Sequence, residues 1–463
     1  MAGLAIAVLG IGACLPAPAD PPVEARPNLI LISLDTTRAD ALSCYGTPPD
    51  MPADPSRVVS PTIDALAAEG LRFERFYTHA PTTLNAHTSM LSGLDPHGHA
   101  VPRNGFPVPS DVQTLTQRLS ASGYDTIGVV GAKALEQSMG LDRGFRIYDD
   151  TTTTKLGPMY QDRAEGVTDR ALQHLETHDG EAPLFLFVHY YDPHTPYRAP
   201  PPFRFRYSDP DYDGPFKGTV NSVGPLKKAL KEGTARPEDR QQQAALYLGE
   251  VAYADHHLGR LLEALGEAGH LDHALVVVTA DHGEVLAEIP TFAYGHGSDV
   301  SEGVTRIPLV IRGYGVPLRT GVVESQAAMV GLAPTLELAL GMESTLGDAD
   351  HFFDLIRPGP VHDRDGWPAR PTRTVFMEAT RPRKREFKKG WNNLNFSRGI
   401  HAGGYRVTSS KVYRTPPQID GPEALKPVLV DMLERWDAGS PTHQTEELAD
   451  ETRAALEALG YLD

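Results

Sequence analysis

The stretch Asn28-Leu29-Ile30-Leu31-Ile32-Ser33-Leu34-Asp35-Thr36-Thr37-Arg38 decides the fold. Its apolar run is continuous rather than alternating, and it stops abruptly in Asp, Thr and Arg. A segment apolar on both faces reads as a strand covered on both sides, which belongs in a mostly parallel sheet. Four further runs repeat the pattern: Thr126-Ile127-Gly128-Val129-Val130, Leu184-Phe185-Leu186-Phe187-Val188-His189, Leu275-Val276-Val277-Val278-Thr279 and Pro308-Leu309-Val310-Ile311. Helical stretches fit between them. Ser60 before Pro61 opens one, with Ser60 as N-cap and Pro61 at the first helical position. Gln241 to Ala264 carries apolar residues at helical spacing and predicts a long crossover helix. The expected class is α/β, a large mostly parallel sheet sandwiched by helices.

Outward from this core the character changes. Arg198 to Pro237, rich in Pro, Gly, Asp and basic residues, has no clear period and predicts a long surface excursion that could cover a site. Thr372 to Val407 alternates short β-like pieces with the basic cluster Arg381 to Lys389, and Val428 to Leu462 reads as largely helical. These features place a catalytic domain at 26–345 and a small C-terminal α+β subdomain at 346–463. At the other end, Met1 to Ala13 is apolar but too short to span a bilayer, and reads as the h-region of a signal peptide. Ile11-Gly12-Ala13-Cys14 resembles a bacterial lipobox, although no Lys or Arg precedes it. Residues 1–25 are therefore expected to be a signal and lipoprotein tether, with Cys14 as a lipid anchor at the cell envelope and plain secretion as the alternative.

Composition sets outer bounds. With 43 Lys+Arg against 60 Asp+Glu among 463 residues, the net charge is −17, which speaks against a nucleic-acid-binding surface. Hydrophobic residues at 40% and charged residues at 22% exclude a disordered or fibrous chain. Cys14 and Cys44 make no disulfide framework, and Cys44 reads as a buried thiol.

In a doubly wound sheet, functional groups collect at the carboxyl ends of the strands. Three runs here end in polar clusters. The first ends in Asp35-Thr36-Thr37-Arg38, the second runs into His189, Asp192 and His194, and the third ends in Asp281-His282-Gly283-Glu284 with His296 shortly after. Each alone is bland, since a strand-end Asp usually caps a helix and Asp-Pro-His is ordinary turn chemistry. Together, at one edge of one sheet, they predict a divalent-cation site, and the mixture of Asp and His suits zinc or manganese. Asp255-His256-His257 on the crossover helix reads as a polar helix face.

The order of these blocks resembles the sulfatase family of the alkaline phosphatase superfamily. Asn28 to Asp40 is similar to that family's first metal-binding strand, and Ala80-Pro81-Thr82-Thr83-Leu84-Asn85-Ala86-His87-Thr88-Ser89-Met90-Leu91-Ser92-Gly93 to its nucleophile loop. Asp281-His282-Gly283-Glu284 resembles the later metal-binding strand, and Arg306-Ile307-Pro308-Leu309 the strand that follows. The likeness extends to Ala458-Leu459-Gly460-Tyr461-Leu462. One departure matters. Sulfatases carry Cys or Ser in a Cys/Ser-x-Pro-x-Arg motif and oxidise it to formylglycine; here the three positions are Thr83, Asn85 and His87. Thr cannot yield that aldehyde, whereas a Thr hydroxyl on a metal suits direct attack on phosphorus.

The resemblance implies the remaining roles. Asp35, Asp281 and His282 would hold the first metal, with Thr83 and Thr36 beside it. Thr36 stands where many sulfatases have a second Asp, and His282 where they have Asn, so zinc or manganese is favoured and calcium stays open. His194 and His296 match positions that contact the ester or bind a second metal, with Asp192 as a further ligand. Asn104 matches a donor to a non-bridging oxygen, and Lys133 an anion-binding Lys. The expected function is metal-dependent hydrolysis of phosphate mono- or diesters or phosphonate esters, hence an anionic ester substrate. A sulfuric ester hydrolase working without formylglycine and an inactive relative that binds anionic glycans stay open as alternatives.

Overall fold

The structure, a computed structural model, describes residues 26–46, 58–152, 154–156, 159–218, 223–289, 292–347, 351–358, 374–381, 395–402, 404–411 and 414–439. The lipobox with Cys14, the basic residues 382–389 and the tail 440–463 lie outside the described residues.

The core is an eight-stranded sheet. Its strands are β1 (Asn28–Leu34), β2 (Leu71–Phe73), β3 (Asp125–Val130), β4 (Ile147–Asp149), β5 (Leu184–Tyr190), β6 (Ala274–Ala280), β7 (Leu309–Tyr314) and β8 (Gly321–Val323). Their order is β8-β2-β7-β6-β1-β5-β3-β4. β1 pairs parallel with β5 and β6, while β7 runs antiparallel to β6. All five apolar runs are strands of this sheet. The helices that concern the site are α1 (Pro61–Glu69), α2 (Thr83–Ser92), α3 (Ala164–Leu175), α4 (Val223–Lys231), α5 (Pro237–Glu267), α6 (Leu332–Ala339) and, near the C-terminal end of the described chain, α7 (Lys426–Ala438).

Strand alternation explains how the sheet builds a site. Leu29, Leu31, Phe185, Phe187, Leu275 and Val277 pack with Leu84 and Met90 of α2 on one face. Ile30, Ile32, Leu186, Val188, Val276 and Val278 pack with Leu248 and Leu258 of α5 on the other. Successive side chains point to opposite faces, so Ser33, Asp35, His189, Thr279 and Asp281 share the α2 side. Register then brings them level, because Ser33 pairs with both His189 and Thr279, and Leu34 with both Tyr190 and Ala280.

Three sequence expectations change in detail. Ser60 occupies the N-cap of α1 but makes no side-chain cap bond. Instead Asp255, from α5, accepts from the N–H groups of Thr62 and Ile63 at 3.0 and 2.9 Å. The excursion at 198–237 is not wholly irregular, since it contains α4, anchored by fully buried Leu226. Phe352 packs edge-on against Phe73 and Phe76, so the chain is still in the main core beyond residue 346.

The C-terminal antiparallel sheet begins only at Val375. Its strands are β9 (Val375–Arg381), β10 (Asn395–Ala402), β11 (Tyr405–Ser410) and β12 (Thr415–Asp420), in sequence order, and α7 covers it through Leu429 and Leu433. This small α+β unit is fastened to the segment before α2. The N–H of Glu378 donates to the His79 carbonyl at 3.0 Å, and His79 Nδ1 meets the Phe376 carbonyl at 2.7 Å. Cys44 is half-buried, and burial together with Asp64 pushes its thiol up to about 12, as an unreactive Cys requires. Among the described residues no helix is long and apolar enough to cross a membrane.

Candidate active site

The chain leaves β1 through a strained turn. Thr36 has φ 53°, a left-handed conformation that is unfavourable for a β-branched residue. Tyr247 of α5 holds it there: its hydroxyl donates to the Thr36 carbonyl at 2.9 Å and accepts from the Arg38 N–H at 3.0 Å. The turn aims the Thr36 N–H at Asp281 Oδ1, 3.1 Å away, and the His282 N–H donates to the same oxygen at 2.7 Å. Gly283 follows because the backbone of Gly303 passes so close that a Cβ would lie 2.1 Å from its carbonyl oxygen.

Asp35, Asp281 and His282 converge within 4.8 Å, and His87, His189 and Asp281 form a second such group. All five are fully buried. Their polar atoms are mostly unsatisfied by protein: both oxygens of Asp35, Asp281 Oδ2, His282 Nε2, both ring nitrogens of His189, and the hydroxyls of Thr36 and Thr83 lack hydrogen-bond partners. Buried polar atoms are ordinarily paired, so a cluster of orphans marks a ligand site. His282 Nδ1 meets the Gly283 carbonyl at 3.0 Å, so it carries the proton and Nε2 keeps a lone pair. That Nε2 lies 3.4 Å from Asp281 Oδ2 and 3.9 Å from Asp35 Oδ1.

Electrostatics point the same way. Burial, then the charges of Asp281 and Glu284, pushes Asp35 well above the usual carboxylate range, with Thr83 opposing. Burial raises Asp281 to about 6. Burial also holds His189 and His282 well below the ordinary imidazole value. Acids that resist ionisation beside imidazoles that resist protonation lack a compensating positive charge, and a divalent cation would supply it. The donor set fits such an ion.

Thr83 starts α2, after N-cap Thr82. The helix is fixed from both ends of its first turn. Asn104 Oδ1 accepts from the Leu84 N–H at 2.7 Å, leaving its buried Nδ2 without a partner. His87 Nδ1 donates to the Thr83 carbonyl at 2.7 Å, and its Nε2 meets Ser33 Oγ at 2.8 Å. Both nitrogens of His87 are thus committed, and the ring ties the first turn of α2 to β1. Its place is structural support behind Thr83, 3.8 Å from Asp281 Oδ2.

A second histidine group adjoins the first. The His296 ring lies 4.5 Å from that of His282 and 4.9 Å from that of His194. His194 Nδ1 donates to the Thr195 carbonyl at 2.6 Å, which leaves Nε2 as the acceptor nitrogen. His296 Nδ1 stands 3.3 Å from Glu284 Oε1. Glu284 is fully buried, and burial raises it, opposed by His194 and His282. His189 and Glu284 stood in the strand-end clusters that predict a cation site, but without individual roles.

Two expected site residues are engaged by partners of their own. Asp192 turns toward α3: its Oδ2 accepts from the Ala164 N–H at 2.7 Å, and Arg163 lies 3.7 Å from Oδ1. It caps a helix rather than facing the cation group, the bland role that strand-end aspartates usually have. Lys133, just past β3, is ion-paired with Glu136.

A profile of the family described as sulfatase matches residues 27–342. The multifunctional alkaline phosphatase superfamily protein PehA of Trinickia caryophylli is 26% identical over 394 residues, covering 69% of this chain and 74% of that protein. An arylsulfatase of Clostridium perfringens is 24% identical over 341 residues, covering 62% and 68%. The crystal structure of a phosphonate monoester hydrolase of Agrobacterium radiobacter superposes with a TM-score of 0.64 at 20% identity, covering 89% of this chain and 95% of that one.

Proposed function

From the premise that this chain belongs to the sulfatase family and is an ester-bond hydrolase, we propose that it cleaves phosphate or phosphonate esters with Thr83 as nucleophile. The observation that carries the reading is the Thr83 hydroxyl. It is fully buried at the N-terminus of α2, beside Asp35, at the position where the family's motif has Cys or Ser.

The chemistry follows from the surroundings. Thr83 Oγ1 gives up its proton and forms a bond to phosphorus as the ester P–O bond breaks and the leaving oxygen departs as the protonated alcohol; water then cleaves the Thr83 ester, releasing the phosphorus acid and restoring the hydroxyl. The dipole of the first turn of α2 favours the anion that collects there. Asn104 Nδ2, held by the Leu84 contact of its Oδ1, is a donor for a non-bridging oxygen. Asp35, Asp281 and His282 would hold the divalent cation, which lowers the hydroxyl pKa and offsets the charge of the ester. His194 and His296 would line the leaving-group side. With its Nδ1 hydrogen committed to Thr195, His194 presents an acceptor nitrogen, which suits a second cation better than proton donation.

Purified protein assayed side by side on p-nitrophenyl phosphate, phenylphosphonate, bis-p-nitrophenyl phosphate and p-nitrophenyl sulfate tests this. Preference for a phosphorus ester, with about two zinc or manganese ions by metal analysis, supports it. Sulfate preference with a single calcium would replace it by sulfuric ester hydrolysis.

A further inference from the structure

We propose that Lys227 of α4 recognises a second negative charge on the leaving group of the ester, so that the preferred substrates are esters of an alcohol that is itself anionic. This deepens the proposed function and rests on its placing of His194 and His296 on the leaving-group side. No motif of the chain contains Lys227, which stands within the excursion from Arg198 to Pro237.

An apolar stripe seats α4. Leu226 is fully buried, and Ala229 and Leu230, on the same face, pack against the core beside it. At about 100° per residue, Lys227 falls on the flank of that stripe and Lys228 on the side away from it. Lys228 pairs with Glu232 at 3.9 Å, both largely exposed. The helix packs against the strand Phe292–Gly295. That strand pairs back on Val285–Ile289 with Val285 opposite Gly295, so Glu284 and His296 stand side by side at the open end of one hairpin. The Lys227 charge is felt at this end: it helps burial hold His296 down to about 3, and it opposes the rise that burial gives Glu284. Lys227 itself is exposed. An exposed ammonium beside the buried Glu284 and His296 stands where a leaving group emerges into solvent. The dipole of α2 and Asn104 Nδ2 serve the anion on the Thr83 side, so the charge of Lys227 is left for the alcohol part. An ammonium is a compact point charge without the planar fork of Arg, so it reads charge rather than shape, and a carboxylate or a sulfonate would satisfy it. The rival role is a positioning one, in which Lys227 only offsets Glu284.

Kinetics on 3-carboxyphenyl phosphate and its neutral 3-carbamoyl analogue test this. The ratio of kcat/KM for the charged over the neutral ester, compared between parent and variant, cancels the intrinsic reactivity of each leaving group. Lys227→Ala should lower that ratio by about 5-fold, mainly through KM, as an exposed ion pair would, and the drop should shrink in about 0.5 M salt. Lys227→Arg should keep the parent ratio, and so should Lys228→Ala. Repeating the comparison with 3-sulfophenyl phosphate shows whether a carboxylate or a sulfonate gains more from Lys227. A ratio unchanged in Lys227→Ala, with both esters slowed alike, would make Lys227 a partner of Glu284 and overturn the assignment. An equal drop in Lys228→Ala would overturn it too, as an effect of net charge alone. Dissociation constants of the two esters on Thr83→Ala protein, with and without Lys227→Ala, should give the same ratio without turnover. Product formed by Thr83→Ala would sink the nucleophile and leave Lys227 standing. Should only sulfate esters be turned over, the corresponding pair of aryl sulfates reads Lys227 in the same way while the phosphorus chemistry falls.

Discussion

Two buried carboxylates at equal depth titrate in opposite directions. Asp35 is pushed well above the usual range by burial and by the nearby acids Asp281 and Glu284. Burial also works against Glu378 in β9, yet His97 and Arg398 hold it below the usual value. Arg398 Nε lies 2.6 Å and His97 Nε2 3.5 Å from Glu378 Oε2, while beside them the Trp436 indole N–H donates to Asp95 at 2.8 Å. The seam of the C-terminal sheet therefore completes its charges within the protein, and the strand-end site leaves its charges for something else. Buried polarity that is closed on itself specifies a fold, whereas buried polarity left open specifies a ligand.

The contrast can be broken most sharply at Thr83. Thr83→Ala should lower turnover of the preferred ester by about 10³-fold or more while leaving the thermal midpoint nearly unchanged, as initial rates and calorimetry would show. Substantial residual activity would mean that the open site works without that hydroxyl. At the seam the expectation is reversed. Glu378→Gln leaves Arg398 short of its buried partner and should cost about 3 kcal/mol in denaturant unfolding, with the turnover of folded enzyme changed little.

Metal and pH sharpen the difference further. In metal-loaded protein Asp281→Asn should release metal and lower the midpoint, because binding to the folded state is lost. In stripped protein the sign inverts. Asp281 is raised from 3.8 to about 6, so the native state holds that proton more tightly than the unfolded chain, and the stability this gives is lost as pH rises through 6. Stripped Asp281→Asn should therefore gain on the stripped parent between pH 4 and pH 7. Glu378 is shifted down, so its contribution is present above the ordinary glutamate value and lost in acid, and Glu378→Gln should fall further behind at pH 7 than at pH 4. Parallel curves for the two variants would erase the distinction. The smallest effect is expected from Tyr247→Phe, which removes the bridge across the Thr36 turn. It should cost about 1–2 kcal/mol of stability and a few-fold in kcat, with KM less affected.

Much of this was legible in the chain itself. Continuous apolar runs give the central strands, because only strands buried on both faces need them. Asp35, Asp281 and His282 could be read because they sit where the runs stop. His189 stands in one of the same strand-end clusters, but its own place could not be read, since only register and alternation turn it toward Asp35. Asp192 and Lys133 misled for a related reason: composition shows that a charge is present, but not that Ala164 or Glu136 already holds it. The helix α4 escaped notice because Gly224 and Pro225 break its pattern, and the left-handed turn at Thr36 carries no Gly or Asn to announce it.

The bonds between His79 and β9 bear on how such a chain could be shortened or recombined. His79 precedes Thr83 by only four positions, so a strand drawn from beyond residue 374 is part of the mould in which the reactive loop is cast. A fragment ending before Val375 would retain every side chain of the cation group and still lose the wall against which that loop sets. The C-terminal sheet is thus no detachable cassette, and swapping it between relatives would transplant a piece of the catalytic machinery under the guise of an appendage.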